Sequence, residues 1–376
     1  ALLCAFKGDT TLYIKGRVPF TWRLWVCVFL FTIVSGILTL PNRSIEKVSR
    51  HSTQPHKLSA MPESKSKIAI IGAGSVGATI AYACMMRAVA KELVIYDIDR
   101  AKVDAEALDL NHGLQFVRQV KLEGSDDIGI INGADIVVIT AGAKQKPGQS
   151  RMDLAQANAG ILRTLIPQII NAASNAILLI VTNPCDVMTY VALKLSGLPQ
   201  SQVLGSGTVL DSSRFRYLIA KRLNVAVQNV HAYIVGEHGD SEIPLWSSAT
   251  IANIPLHEWA VMQHGKLSTM DRTVIFQNVK TAAQQIIRGK GATNYAIGLA
   301  TAKILDAVLR DENRVMPVSG LLQNYRGIED VCLSVPCIVN RSGLEQSLPV
   351  PMNANEEAGL KNSAEIIRSA IRSLGY

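Results

Sequence analysis

The sequence has little that would point to a metal site, a disulfide framework or a nucleic-acid partner. Its six cysteines form no CxxC pair, a pattern that argues against zinc and disulfides and favours a reducing compartment. Residues 1–60 hold +6 of the formal net charge of +8, because they contain eight Lys and Arg against two Asp and Glu. The rest of the chain is close to neutral and so lacks the basic footprint of a nucleic-acid-binding protein.

The N-terminal segment, residues 1–66, differs from the rest. LWVCVFLFTIVSGILTL, residues 24–40, contains no charge and is just long enough to span a bilayer, for which roughly 17 residues is the lower limit. We interpret Met61 as the start of the functional protein, residues 1–60 as translated upstream sequence or a fragment artefact, and residues 41–66 as a solvated linker. A membrane anchor and a cleaved targeting peptide are the alternatives. The expected location is the cytoplasm, with a membrane-anchored or organelle-targeted form under those alternatives.

Short apolar runs recur from Lys67 onward between amphipathic stretches. They are IAII (68–71), ELVIYDID (92–99), ADIVVIT (134–140) and AILLIVT (176–182). Runs that are apolar on both faces are typical of parallel strands covered by helices on each side. The sequence therefore predicts an α/β fold with a doubly wound parallel sheet, in which ligands bind beyond the carboxyl ends of the strands.

The first run leads into GAGSVG, in which Gly72, Gly74 and Gly77 have the spacing G-x-G-x-x-G. Glycines at these positions permit a tight turn, close approach of the backbone to a pyrophosphate, and close packing of the next helix. Asp97 ends the second strand, where a carboxylate would accept hydrogen bonds from ribose hydroxyls and repel a 2′-phosphate, which favours NAD over NADP. The alternative is that Asp97 only forms a turn. Gly142 and Asn183 follow later strands at the same edge.

One helix and one loop carry the candidate catalytic side chains. DSSRFRYLIAKRL, residues 211–223, predicts a helix on which Asp211 and Arg214 share a face. Arg216 points about 200° away from Arg214 and so cannot serve the same pocket. His238, in IVGEHGDSEIP, is of the residue type that titrates near neutral pH. From spacing alone, Asp211 and Arg214 as surface charges and His238 as a loop residue remain alternatives.

Taken in order, the motifs resemble the L-lactate dehydrogenase family, and its bacterial-type members in particular. They are GAGSVG, the acidic strand end at Asp97, AGAKQKPGQSR, VTNPCDV, SGTVLDSSRFR, GEHGD and ENRVMPVS. The resemblance covers residues 67–375. It implies a Rossmann-type NAD-binding domain over residues 67–210 and a mixed α+β catalytic domain over residues 211–376.

The resemblance also implies roles for the residues of the catalytic site. His238 would give its proton to the carbonyl oxygen of a 2-oxo acid, and Asp211 would fix its tautomer. Arg214 would bind the substrate carboxylate through two parallel hydrogen bonds, and Arg151 would polarise the carbonyl after loop closure. Asn183 would contact substrate and cofactor. The cofactor-binding set implied in this way consists of Gly72, Gly74, Val76, Gly77, Asp97, Lys102, Gly142, Ala143, Asn158, Asn183 and Ser206, and no metal is expected.

Two positions bear on which 2-oxo acid is reduced. Gln145 lies where malate dehydrogenases carry an arginine for a second carboxylate, and Thr293 matches the position that limits the volume around the substrate side chain. Together they favour pyruvate and L-lactate, because a buried unpaired carboxylate costs several kcal/mol. A malate or broader 2-hydroxy acid dehydrogenase is the first alternative, and a non-catalytic binding or structural protein on the same scaffold is the second.

The resemblance further implies a homotetramer. Arg216 and His231 match residues that bind fructose 1,6-bisphosphate across a subunit interface in activated bacterial members. Two cationic donors near a symmetry axis would suit a phosphorylated activator. The alternative is a packed histidine and an interface arginine with no regulatory role.

Overall fold

The computed structural model describes residues 66–143, 151–262 and 267–376, and of Arg151 the backbone only. Segment 24–40, Gln145 and the side chain of Arg151 therefore lie outside the described residues. Among the helices that the structure describes, none is long and apolar enough to cross a membrane.

The strands are numbered in chain order. They are β1 (Lys67–Ile71), β2 (Glu92–Tyr96), β3 (Lys121–Ser125), β4 (Ile136–Ile139), β5 (Ile177–Ile180), β6 (Val203–Gly205), β7 (Val230–His231), β8 (Ile234–Val235), β9 (Ile243–Pro244), β10 (Thr250–Ile251), β11 (Ile254–Pro255), β12 (Arg314–Leu322), β13 (Val331–Asn340) and β14 (Gly343–Ser347).

The α-helices are likewise numbered in chain order. They are α1 (Ser75–Arg87), α2 (Arg100–His112), α3 (Arg151–Ala172), α4 (Cys185–Ser196), α5 (Val209–Leu223), α6 (Leu256–Met262), α7 (Thr269–Lys290), α8 (Tyr295–Leu309) and α9 (Ala354–Ser373).

The main sheet has the strand order β14-β13-β12-β6-β5-β4-β1-β2-β3. Strands β6, β5, β4, β1, β2 and β3 pair in parallel. The parallel arrangement predicted from the four apolar runs is confirmed, and every residue of β4 and β5 is buried. Because Ile71 pairs with both Tyr96 and Ile139, and Ile139 with Ile180, these strands end at one level. Their carboxyl ends therefore form a common edge.

The sheet is larger than the apolar runs predict. Strand β3 lies at the edge and has a single buried residue, Leu122, and β6 is only three residues long. Strands β12, β13 and β14 add an antiparallel extension, which joins the parallel part where Ser319 pairs with Gly205.

The predicted domain boundary between residues 210 and 211 lies inside helix α5. The described residues from 66 to 376 belong to one compact unit, and the sheet continues across the predicted boundary through the β6–β12 pair. A second buried apolar cluster surrounds Phe215, whose ring meets Trp246 edge to face with centroids 4.6 Å apart. This cluster holds α5 against the small sheets of the C-terminal half.

Candidate active site

A cleft of about 1330 Å³ opens at the carboxyl ends of β1, β2, β4 and β5. It extends from the glycine turn after β1 to His238 and Thr293. The residues of the predicted site that line it are Gly72, Gly74, Val76, Asp97, Lys102, Gly142, Ala143, Asn158, Asn183, Asp211, Arg214, His238 and Thr293. The predicted cofactor-binding and substrate-binding ends thus belong to one continuous cleft.

Each glycine of GAGSVG is in a different steric environment. Gly72 has φ +109°, a conformation that side chains disfavour, and a Cβ on Gly77 would lie 1.9 Å from the carbonyl oxygen of Gly72. Gly77 therefore allows α1 to pack against the turn. A Cβ on Gly74 would meet nothing within 4 Å, so this position borders open space in the cleft. Gly74 also caps α1 without a side-chain hydrogen bond, which leaves the helix N-terminus suited to an anion.

Asp97 both lines the cleft and forms a turn. Its Oδ2 accepts a hydrogen bond from the backbone N–H of Ala73 at 2.6 Å, and Oδ1 accepts one from Asp99 at 3.1 Å. The carboxylate thereby joins the end of β2 to the glycine turn. The two interpretations of Asp97 in the sequence are compatible, because each oxygen retains lone pairs for a ribose hydroxyl.

Asn158 is almost fully buried, and its carboxamide contacts backbone groups at the ends of two strands. Oδ1 accepts from the N–H of Ala143 at 2.7 Å, and Nδ2 donates to the carbonyl oxygen of Asn183 at 2.7 Å. Asn158 therefore fixes the segments that follow β4 and β5. A cofactor contact would have to use what remains of its hydrogen-bonding capacity.

Ser206 is not among the residues that line the cleft. It is buried, with its hydroxyl 3.7 Å from the Sγ of Cys185. Burial raises the pKa of the Cys185 thiol to about 12, so the thiol stays protonated at neutral pH. Ser206 and Cys185 pack together behind the site.

Asp211, Arg214 and His238 form a connected charged group. The Oδ2 of Asp211 lies 2.5 Å from the Nδ1 of His238, and Nη1 of Arg214 donates to Oδ1 of Asp211 at 2.8 Å. Asp211 is only 2% exposed, which leaves its charge weakly screened. The face shared by Asp211 and Arg214 on the predicted helix is thus the face that meets His238.

The electrostatics of this group favour the imidazolium. The negative charge of Asp211 raises the pKa of His238 to about 9, against the opposing effect of burial. Burial alone would raise the pKa of Asp211, but the charges of His238 and Arg214 outweigh it and hold that pKa below its ordinary value. At neutral pH the pair is therefore an aspartate and a protonated histidine.

The loop that carries His238 is fixed by several elements. Gly236 and Ser334 of β13 exchange backbone hydrogen bonds of 2.8 and 3.1 Å. The N–H of Glu237 donates to the Oγ of Ser363 on α9 at 2.8 Å, and the N–H of His238 donates to Oδ2 of Asp186 on α4 at 2.7 Å. The position of the imidazole is therefore set by α4, α5, α9 and β13 together.

Two acidic residues that lie near His238 were not predicted from the sequence. Asp186 is in the motif VTNPCDV, and its position in an otherwise apolar helix start was the available signal. Glu242 is 6% exposed and lines the cleft, and its Oε1 has no hydrogen-bond partner among the described residues. Burial, then the charge of Asp211, raises the pKa of Glu242 to about 8. No feature of the sequence indicated that Glu242 is buried.

Arg216 faces away from the cleft, as its position on the helix predicts. Its Nε donates to the carbonyl oxygen of Ala232 at 2.8 Å, and its guanidinium lies 4.9 Å from the centre of the Tyr233 ring. His231 is exposed in β7, where it pairs with Thr250. Neither Arg216 nor His231 lines the cleft. In the described part of the chain, no group of His, Cys, Asp and Glu is placed to hold a metal ion.

Comparisons with known proteins identify the family of the chain. The sequence model of the lactate/malate dehydrogenase NAD binding domain matches residues 66–205, and that of the alpha/beta C-terminal domain matches residues 208–374. An L-lactate dehydrogenase of Bifidobacterium animalis subsp. lactis is 51% identical over 316 residues, which cover 84% of this chain and 99% of the relative. One of Clostridium botulinum is 48% identical over 307 residues, covering 82% and 96%.

Solved structures give the same result. The lactate dehydrogenase MGS-M5 from a Medee basin deep-sea metagenome library superposes with a TM-score of 0.80 at 40% identity, covering 83% of this chain and 99% of that one. The minor L-lactate dehydrogenase of Enterococcus mundtii superposes with a TM-score of 0.79 at 38% identity, covering 82% and 98%. With both of its domains matched, the chain belongs to the lactate/malate dehydrogenase family.

Proposed function

We propose that the protein is an NAD-dependent L-lactate dehydrogenase, which reversibly reduces pyruvate to L-lactate. The observation that carries the proposal is the Asp211–His238 pair with Arg214 beside it, in a cleft continuous with the glycine turn. The relatives named L-lactate dehydrogenase support the choice of reaction.

The glycine turn and the strand ends fit a dinucleotide. Gly74 borders open space at the N-terminus of α1, where a pyrophosphate would be attracted by the helix dipole. Asp97 offers carboxylate lone pairs at the end of β2, and Lys102 lines the same end of the cleft. Gly142 and Asn183 also line the cleft. When bound, NADH supplies the hydride that reduces the substrate.

His238 acts as the acid in pyruvate reduction and as the base in the reverse direction. Because Asp211 holds its pKa near 9, the ring enters reduction already protonated at neutral pH. With Nδ1 bonded to Asp211, Nε2 is the nitrogen left to exchange a proton with the substrate oxygen. Asp211 therefore fixes both the tautomer and the orientation of the ring.

Arg214 binds the substrate carboxylate. Of its nitrogens, only Nη1 donates to Asp211, so the guanidinium keeps donors for the carboxylate of the substrate. The planar guanidinium is suited to binding that carboxylate through two parallel hydrogen bonds. Arg151 would polarise the carbonyl when the loop before it closes, and Gln145 and Thr293 would contact the substrate methyl group. These last roles rest on the family resemblance.

The homotetramer, the cytoplasmic location and the activator site are further parts of the proposal. Helices α1 and α8 pack on each other and present Tyr82, Met86, Tyr295 and Leu299, each more than half exposed. Such an apolar surface favours self-association. Arg216 and His231 would bind fructose 1,6-bisphosphate, although Arg216 already donates to Ala232. A pyruvate saturation curve unchanged by about 1 mM of this compound would exclude that site.

The reaction is tested with the full-length protein, by following NADH oxidation with pyruvate and by identifying the product. We expect one L-lactate for each NADH consumed. His238→Asn keeps a polar side chain without an acid at neutral pH, and it should lose on the order of 10²–10⁴ in kcat. Normal turnover in that variant, or no turnover of pyruvate by the unaltered protein, would overturn the proposal.

A further inference from the structure

The connection between α7 and α8, residues 291–294, forms part of the wall of the cleft. Among the described residues of that wall are Gly291, Ala292 and Thr293, but not Asn294. Asn294 directly precedes α8, at a position where asparagine commonly caps a helix through its side chain. Its carboxamide nevertheless caps no backbone N–H of the described helix. The hydrogen-bonding groups of Asn294 are therefore available to other elements.

The carboxamide of Asn294 binds the two neighbouring helices instead. Its Nδ2 donates to the Oγ1 of Thr79 on α1 at 3.0 Å, and its Oδ1 accepts a hydrogen bond from the Nζ of Lys290, the last residue of α7. Thr79 in turn donates its hydroxyl proton to the carbonyl oxygen of Ser75 at 2.6 Å. Ser75 is the first residue of α1 and lines the cleft beside the glycine turn. Hydrogen bonds thus connect the first turn of α1 to the residue that follows Thr293.

Close packing between α1 and α8 fixes the position of Thr79. A Cβ on Gly298 of α8 would lie 2.6 Å from the Cγ2 of Thr79 and 3.0 Å from its carbonyl oxygen. Gly298 is buried, so the two helices have little room to slide past each other at this point. The hydroxyl of Thr79 therefore offers Asn294 an acceptor at a defined position.

We propose that Asn294 is a positioning residue for the substrate pocket. It holds Thr293 at a set distance from α1, the helix that would carry the dinucleotide, and so fixes the width of the pocket around the substrate methyl group. The proposal rests on the function proposed above, in which Thr293 contacts that group. The two hydrogen bonds of the carboxamide fit this role, because one holds the connection to the end of α7 and the other holds it to α1.

Variants of the full-length protein isolate the bond between Thr79 and Asn294. Thr79→Val keeps the shape of the side chain and removes the hydroxyl, Asn294→Ala removes the carboxamide, and Thr79→Ser keeps the hydroxyl. Asn340→Ala is the matched control. The Asn340 side chain also donates to another side chain, that of Asn313, at 2.9 Å, and Asn340 is not among the described residues that line the cleft.

The quantity to measure is the ratio of kcat/KM for pyruvate to kcat/KM for 2-oxobutanoate, which is longer by one methylene. In a fitted pocket such a difference is worth about 10- to 200-fold. Thr79→Val and Asn294→Ala should each lower kcat/KM for pyruvate by about tenfold and reduce the ratio by about fivefold, because a loosened pocket misplaces the smaller substrate more. The double variant should lose no more than Asn294→Ala alone, since both changes remove the same hydrogen bond. Thr79→Ser and Asn340→Ala should keep the ratio of the unaltered protein, even where Tm falls.

The position of Thr293 can also be followed without turnover. In protein with ¹³C-labelled threonine methyl groups, the Thr293 resonance is assigned by its loss in Thr293→Ser. It should move in Thr79→Val and in Asn294→Ala, but not in Asn340→Ala.

The proposal is overturned if the Thr293 resonance stays in place in both variants. It is equally overturned if the unaltered protein reduces pyruvate and both variants keep its ratio of kcat/KM values. Failure of the proposed function would look different, because the Thr293 resonance would still move while the unaltered protein reduced neither 2-oxo acid.

Discussion

The Oδ2 of Asp211 and the Nδ1 of His238 lie 2.5 Å apart, although the residues are separated by 27 positions in the sequence. Helix α5 supplies the carboxylate and the loop after β8 supplies the imidazole. The carboxylate is buried and also accepts a hydrogen bond from Arg214. Its negative charge is therefore stabilised by these two cationic side chains. The pair therefore determines both which ring nitrogen faces the cleft and over what pH range the ring is charged.

Replacing Asp211 by Asn should leave the fold intact and remove most of the activity. The amide cannot stabilise an imidazolium, and it permits the wrong tautomer. We expect kcat for pyruvate to fall by up to about 10⁴, the loss seen when an aspartate behind a catalytic histidine is neutralised in a serine protease. Steady-state kinetics with circular dichroism on the same samples measures both effects. Asp109→Asn, a change to an exposed aspartate on α2, is the control, and similar kcat values in the two variants would contradict the role of Asp211.

The two directions of the reaction should respond oppositely to alkaline pH. Reduction needs protonated His238 and oxidation needs the neutral ring, and the pKa of this ring is raised to about 9 by Asp211. Thus kcat/KM for pyruvate should be level through neutral pH and fall as pH rises through about 9, while kcat/KM for L-lactate rises over the same interval. Initial rates in both directions across this interval test the assignment. Profiles that fall together would mean that another group controls the alkaline limb.

Substitutions of the two glycines after β1 should affect stability and cofactor binding separately. A Cβ at Gly77 would overlap the Gly72 carbonyl oxygen, whereas one at Gly74 meets open space. Gly77→Ala should therefore lower Tm by several degrees, because disturbing the packing of α1 on the turn lowers the unfolding free energy by roughly 1–3 kcal/mol. Gly74→Ala should keep its Tm and weaken NADH binding by about tenfold or more, since its Cβ enters the space expected for the pyrophosphate. Differential scanning calorimetry and NADH fluorescence titration give the two values.

Gly289→Ala, on α7 where a Cβ also meets nothing within 4 Å, is the matched control for both measurements. If Gly74→Ala bound NADH as tightly as this control does, the dinucleotide would not lie against Gly74.

Glu242 should make the stability of the protein fall with rising pH. Burial raises its folded pKa to about 8 from an ordinary value of 4.5, so the folded protein keeps a proton that the unfolded chain has lost. The unfolding free energy therefore decreases between pH 4.5 and about 8 and is constant above that interval as far as this group is concerned. Glu242→Gln has no proton to lose. Its Tm should match that of the unaltered protein near pH 5 and exceed it by about 2 °C or more near pH 9.

Glu258→Gln, a change to an exposed glutamate on α6, should show no such divergence. Identical melting curves for Glu242→Gln and the unaltered protein across this range would mean that Glu242 is ionised in the folded state.

Much of the fold could be predicted because the burial of the central strands is evident from their apolar sequences. Strands β4 and β5 are buried on both faces, and their sequences are apolar throughout. Strand β3, KLEGS, lies at the edge and buries only Leu122, and its short, mostly polar sequence resembles a connection between elements. The contact of β12 with β6 joins Ser319 to Gly205, and pairing between residues so far apart leaves no local pattern in either segment.

The candidate site likewise has features that local sequence predicts and features that depend on the tertiary fold. Helical spacing alone puts Asp211 and Arg214 on one face, but only the fold brings His238 to Asp211. Burial of Glu242 is a tertiary property that its neighbours in the sequence do not indicate, whereas the apolar helix start around Asp186 was a signal that its carboxylate is buried. The resemblance implies that Ser206 binds cofactor, and this stays a prediction: the residue is buried with its hydroxyl against Cys185 and does not line the cleft.

The central claim is tested most directly by comparing kcat/KM for pyruvate and for oxaloacetate in the full-length protein with NADH. Under the proposed function, Arg214 would bind one substrate carboxylate, and Gln145, which the family resemblance assigns to the substrate, would offer no charge for a second. A buried unpaired carboxylate costs several kcal/mol, and about 2.7 kcal/mol corresponds to a hundredfold. We therefore expect pyruvate to be preferred by about a hundredfold or more. A preference for oxaloacetate would contradict the account, because another residue would then have to supply the second positive charge.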